Sequence, residues 1–472
     1  MSHSQCFSGL QGIIMTKKIK TDLLVIGAGA GGLSVAAGAA QLGVKVVLLE
    51  GDKMGGDCLN YGCVPSKALI AFSNQKKSKQ FIEAISFVRE AITEIEPHDS
   101  EERFRSLGVN VIREFGRFVN AKTVAAGDYE IQSRRIVIAT GVHTSIPEVS
   151  GLSDISYHTN QTIFDLAQKP EHLLVLGGGP VGVELAQAFT RIGVKVTILE
   201  KQKILSNFNN EQVEILRSNL SADGVVLKEG VTIEEFSQVG NKLIVQLEGG
   251  EKITGSDLLV ATGKKPKLRR LNLNVAGIRF SDKGIETDQY LRTSNKKIYA
   301  IGDVAQFENF TNVANYHAGI VLKSITIGLK TKVQKEVQPR VIYTTPEIGS
   351  VGLSKVQAKK KYGNKLKVSR VNFSENDRAI TDDKKLGWIE IYIHRNLVVG
   401  ASVVGIGAGE LLNFWSFMIS NGISVYKVAK TSFAYPTVGE VNKKLVTNHI
   451  SPKIFKNRGI RNLVWLAQKY LP

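Results

Sequence analysis

A chain of 472 residues exceeds one ordinary core and predicts three or four packed units. Its 43% hydrophobic content and 45 glycines exclude a disordered chain and indicate a globular protein rich in tight turns. The net charge of +18 favours anions, but no nucleic-acid-binding motif accompanies it; lysines on a solvated surface explain it, and no nucleic-acid partner is expected.

Residues 1–15 lack a charged-then-apolar signal pattern and read as an extension or an early start, with structure expected from about Lys18. The apolar stretch 23–42 is long enough to imitate a membrane span. Its glycines Gly27, Gly29, Gly31, Gly32 and Gly38 instead predict a strand, a turn and a helix. Segment 21–50, TDLLVIGAGAGGLSVAAGAAQLGVKVVLLE, has a counterpart in segment 171–200, EHLLVLGGGPVGVELAQAFTRIGVKVTILE. Each reads as strand, glycine turn, helix, strand and terminal glutamate, so two nucleotide-binding domains are predicted.

In the first copy Gly27, Gly29 and Gly32 form G-x-G-x-x-G. The first glycine permits the turn, the second lets backbone approach a pyrophosphate, and the third allows close helix packing. Glu50 can accept both hydroxyls of an adenosine ribose. Gly177, Gly179, Gly182 and Glu200 repeat the pattern. A carboxylate at Glu200 repels a 2′-phosphate and favours NADH, although Lys201 and Lys203 keep NADPH as the alternative. Strands ending in glycine turns follow each copy, at Gly141 in IVIATG and Gly263 in LLVATG. A third, KIYAIGDVA, carries Gly302 and Asp303 before a helix expected over about 312–329. Beyond Pro339 alternating strands (387–393, 397–405) and a helix near 410–421 predict an α+β domain. The tail, 452–472, is basic with Leu463, Trp465 and Leu466 on an apolar face. It reads either as a helix docked on its own dimer or as a peripheral membrane contact.

Three cysteines exclude a disulfide-stapled secreted scaffold. Cys58 and Cys63, spaced C-x4-C in GGDCLNYGCVPSKAL, suggest redox catalysis in a reducing, cytoplasmic compartment. Zinc ligation needs four ligands, and no further Cys or His cluster lies nearby, so no metal site is expected.

This cysteine stretch resembles the redox-active helix of the pyridine nucleotide-disulfide oxidoreductases, which include dihydrolipoamide dehydrogenase, glutathione reductase and mercuric reductase. The resemblance runs from about Lys18 to about Leu445, and TTPEIGSVG (344–352) matches a further family segment. It implies an α/β fold of two Rossmann-like domains, for FAD at 18–150 and NAD(P) at 151–270. A central domain at 271–338 would complete the FAD site, and 339–472 would form an α+β dimerisation domain of a homodimer. By resemblance, Cys63 lies against the flavin and Cys58 is the interchange thiol. Lys67 pairs with Glu184 near the flavin N5, and Asp303 contacts the ribityl chain.

Two departures stand out. Where the disulfide reductases carry a catalytic histidine before Pro-Thr, this chain reads AYPTVGE, with Tyr435 in its place and Glu440 retained. A phenol of pKa ~10 cannot hold a positive charge near neutrality as imidazole can. Tyr435 reads equally as a packed interface residue or as part of a substrate site completed by the partner subunit. Mercuric reductases also use tyrosine there but add a C-terminal cysteine pair, and no cysteine follows Cys63. Pro180 stands where several relatives shield the flavin with an aromatic. The expectation is therefore an FAD-dependent NAD(P)H oxidoreductase passing electrons through Cys58–Cys63 to a small thiophilic acceptor, similar to mercuric reductase without its terminal thiols. Dihydrolipoamide dehydrogenase is the alternative enzyme, and a membrane-associated redox-sensing flavoprotein the alternative of another class.

Overall fold

The computed structural model describes residues 16–75, 80–306, 310–334 and 337–471, so the expected extension at 1–15 lies outside the described residues. The chain divides into two compact units. One takes the described residues up to Asn60 together with Glu94–His143 and Lys265–Val333; the other takes Tyr61–Thr93, Thr144–Lys264 and the chain from Gln334 onward.

In the first unit the run LLVI ends the strand Lys17–Ile26, which lies parallel to Val46–Leu49 and to Tyr129–Ile138. Strands buried on both faces read as continuous apolar runs, and successive side chains point to opposite sides. Leu23, Val25, Val46 and Leu48 accordingly join one core with the helix residues Leu33, Ala36, Ile320 and Val321. Leu24, Ile26, Val47 and Leu49 join the opposite core with Phe118, Val124 and Ile131. The stretch suspected of imitating a membrane span is thus a buried strand and the helix Ala30–Gln41. The sheet has seven strands, and Ile298–Ala300, from the segment expected as a central domain, pairs with Tyr129–Ile138. The helix expected at 312–329 spans Thr311–Ile327 and ends on Gly328 in the left-handed conformation, an ordinary helix stop.

The second unit repeats the design in a parallel sheet, with Lys195–Glu200 and Asp257–Val260 flanking His172–Leu176 and Val226–Glu229 at one edge. The Pro180–Arg191 helix crosses it, opened by Pro180 at a position where the missing amide costs nothing. Five antiparallel strands form the α+β part, in the order Arg340–Ile342, Glu347–Gly352, Leu397–Gly405, Trp388–His394 and Lys367–Asn372. The helices Ala408–Ser420 and Glu440–Phe455 cover it through a core containing Trp415, whose indole N–H donates to Asn442 at 2.8 Å. Among the described residues no helix is long and apolar enough to cross a membrane.

Candidate functional site

The two glycine turns have the same construction. Gly27 (φ +105°) and Gly177 (φ +111°) hold a backbone that side chains rarely adopt. A Cβ on Gly27 would strike the Ala139 carbonyl, and one on Gly177 the Ala261 carbonyl, so the strand ends that carry the two Ala-Thr-Gly runs leave room only for glycine at these turns. A Cβ on Gly32 would collide with the Gly27 oxygen, and one on Gly182 with the Gly177 oxygen. Around Gly179 a Cβ would meet nothing within 4 Å, leaving open approach to the helix N-terminus, where amides and the helix dipole suit phosphate. Glu50 accepts the Ala28 amide at 2.7 Å and the Asp52 amide at 2.8 Å. Glu200 does the same with Gly178 at 2.6 Å and Gln202 at 2.8 Å. Each carboxylate oxygen keeps a further lone pair for a ribose hydroxyl. Lys201 and Lys203 are exposed. Both turns fit a dinucleotide.

Gly55 and Gly56 (φ +82° and +59°) bring the cysteine segment against the first turn, where Gly55 bridges to Gly29. This close approach permits the short helix Gly56–Asn60, which carries half-buried Cys58. Gly141, Gly263 and Gly302 also have positive φ. Asp303 lies half-buried in the turn Gly302–Val304, and the Gly302 amide donates to Nδ1 of the buried His317 at 3.2 Å. Sequence reasoning did not find His317, because its sixteen neighbours on the helix Thr311–Ile327 give no sign of a turn-holding role.

Half-buried Cys63 opens the helix Cys63–Ser73, and Lys67 follows one turn later on the same face. The Lys67 ammonium bonds Glu184 at 2.8 Å, bringing together two residues 117 positions apart. Glu184 is buried; its other oxygen accepts the Tyr343 amide at 2.8 Å. One turn on, Gln187 takes the Thr345 amide and gives a bond to the Thr345 carbonyl, each at 2.7 Å. Together Glu184 and Gln187 fix the strand end 343–345 against the helix Pro180–Arg191. The Tyr343 ring then covers the Lys67 ammonium, 4.6 Å from its centroid. Burial raises the Tyr343 phenol above its ordinary pKa, helped by the charges of Glu347, Glu184, Cys63 and Glu410. Tyr343 and Gln187 were not anticipated; only the neighbouring TTPEIGSVG segment hinted at them.

Tyr435 is 70% exposed, and its hydroxyl donates to Asp377 at 2.9 Å. That bond, followed by the Asp377 charge, raises the phenol's pKa. Glu440 begins the helix Glu440–Phe455 and contributes only a weaker charge effect. Asp377, in a short helix 58 positions away, carried no signal in the sequence. Among the described residues no three His, Cys, Asp or Glu side chains converge as a metal-ligand cluster.

Residues 21–320 match the family described as pyridine nucleotide-disulphide oxidoreductase, and 338–446 match its dimerisation domain, which supports a homodimer. The chain is 32% identical to a mercuric reductase of Bacillus cereus over 89% of its own length and 70% of that protein's. It is 31% identical to a dihydrolipoyl dehydrogenase of Staphylococcus aureus, over 90% and 95% of the two chains. A solved relative is the Cu(II) complex of the HOCl-induced flavoprotein disulfide reductase RclA from Escherichia coli. Its TM-score is 0.83 at 25% identity, over 90% of this chain and 99% of that one. With two glycine turns, the cysteine segment and the Lys67–Glu184 pair in place, the chain belongs to the pyridine nucleotide-disulphide oxidoreductase family, FAD-dependent enzymes that use NAD(P)H.

Proposed function

We infer that the chain oxidises NADH through FAD, reduces the Cys58–Cys63 disulfide, and delivers the electrons to an acceptor that binds thiolates, such as a soft metal ion. When bound, FAD supplies the two-electron exchange between nicotinamide and sulfur. The chain's own residues bind, orient and charge the sulfurs. Lys67, pinned by Glu184 and capped by Tyr343, puts a fixed positive charge one helical turn from Cys63, which favours its thiolate. Cys58 then serves as the exchanging thiol.

The observation carrying the choice of acceptor is Tyr435. Exchange with an organic disulfide requires a proton to be delivered to the departing thiolate, work that a positioned acid performs. A phenol bonded to Asp377 and raised in pKa does not cycle that proton near neutrality. A metal ion held by two thiolates needs no such proton. The Cu(II) complex of the structural relative and the mercuric reductase relatives favour the same class. The match to dihydrolipoyl dehydrogenases keeps lipoamide as the second reading.

NADH oxidation would be followed with thiol-complexed Hg(II), Cu(II), lipoamide and glutathione disulfide, beside a Cys63→Ser variant. Cysteine-dependent turnover with the metals, and little with either disulfide, is expected. Efficient cysteine-dependent reduction of lipoamide would replace this reading with the second one.

A further inference from the structure

After Glu440 the sequence contains no Asp or Glu but seven Lys and Arg, the last three on the helix Arg458–Tyr470. The helix is properly begun, with the Asn457 side chain accepting the Ile460 amide at 3.2 Å, yet it buries no residue. Leu463 is 66% exposed and Tyr470 70%. At 3.6 residues per turn, Ile460, Leu463, Val464, Leu466, Ala467 and Tyr470 share one half of the helix. Arg458, Arg461, Asn462, Gln468 and Lys469 occupy the other. Trp465 stands among these bases, its ring 5.1 Å from the Lys469 ammonium. Ile454 and Phe455, also exposed, extend the apolar stripe back into the preceding helix. The dimerisation-domain match stops at residue 446, twelve positions before this helix begins.

We propose that the helix Arg458–Tyr470 lies flat on an anionic phospholipid surface, its stripe in the acyl boundary and its bases among the headgroups. Charge decides between this occupant and a second copy of the chain. Burying a stripe against protein requires nothing of the opposite face, and an ordinary solvated helix mixes both signs there to gain pairs. Here every charged residue of the opposite face is basic, and a second copy brings the same net charge of +18. A single-sign basic face beside an apolar stripe gains from both halves at once against anionic headgroups over an acyl layer. A helix of 13 residues is about 20 Å long, enough to lie on a bilayer and too short to cross it. The proposal is independent of the electron acceptor.

The full-length FAD-loaded protein would be sedimented with phosphatidylcholine vesicles, with or without 30% phosphatidylglycerol, and its mass measured by light scattering. The protein is expected to pellet with the anionic vesicles, to bind neutral ones roughly a hundredfold more weakly, and to be released by salt. Leu463→Asp/Leu466→Asp should abolish pelleting while NADH oxidation and dimer mass stay unchanged. Arg458→Gln/Arg461→Gln should weaken binding roughly thirtyfold. Wild-type protein left in the supernatant, or aspartate variants that pellet like wild type, would overturn the proposal. Aspartate variants that become monomeric would overturn it too, by assigning the stripe to a second copy.

Discussion

Glu184→Gln strikes the Lys67 anchor with almost no change of shape. The Glu184 carboxylate is buried and divides its oxygens between the Lys67 ammonium and the Tyr343 amide, both at 2.8 Å. At that separation the gross attraction is about 6 kcal/mol with an effective dielectric near 20. Desolvation of the carboxylate offsets much of it, as does water reaching Lys67, whose side chain is 34% exposed. Glutamine keeps the length but has one acceptor oxygen, so its amide group must face either the ammonium or the Tyr343 amide. Losing a charge-assisted bond and setting a donor against a donor costs about 2 kcal/mol. The assay is a double-mutant cycle with Lys67→Met, read from urea unfolding at pH 7.5. A coupling of about 2 kcal/mol is expected, together with slower NADH-driven disulfide reduction in either single variant. A coupling below about 0.5 kcal/mol would refute the reasoning, because residues in a shared ion pair cannot be that independent.

Gly32→Ala should yield protein without yellow flavin, whereas Gly182→Ala should keep the flavin but raise the KM for NADH at least about tenfold, since a Cβ at each collides with carbonyl oxygen. Absorbance spectra and kinetics check both, and loss of flavin from the Gly182→Ala variant would disprove the separation of roles. Tyr435→His, which puts a group that titrates near neutrality where the phenol stands, should raise lipoamide turnover by about a hundredfold and introduce a dependence on pH near 7. Unchanged turnover would remove Tyr435 from the explanation of acceptor choice. Burial, then nearby lysines, depresses the pKa of His143, His172 and His449. The unfolded chain therefore binds more protons, and this contribution to stability, full above pH ~6.5, is lost as pH falls through the lowered values. The urea midpoint should drop between pH 7.5 and 5.5; a midpoint that rises would contradict the sign.

What was legible in the sequence was local. The glycine turns, their glutamates and the cysteine segment declare themselves because turn, helix start and acid fall within thirty residues of one another. The Lys67–Glu184 pair was reached only by resemblance, since nothing within either segment indicates a partner 117 positions away. Tyr343, Gln187, Asp377 and His317 stayed hidden for the same reason: their roles arise where strand ends, helices and turns meet. The retained Glu440 pointed to itself as the partner of residue 435. The phenol instead donates to Asp377, a residue 58 positions away in the sequence.

Reduction of the Cys58–Cys63 pair by NADH is the step on which electron delivery to any acceptor depends. The most direct measurement is anaerobic reduction of the oxidised protein by one equivalent of NADH, then iodoacetamide alkylation and peptide mass spectrometry. Both Cys58 and Cys63 should pass from unreactive to alkylated, with the change slowed in Gly182→Ala at the same NADH concentration. Cysteines that remain unmodified while NADH is consumed would contradict the account and leave the flavin as the terminal donor.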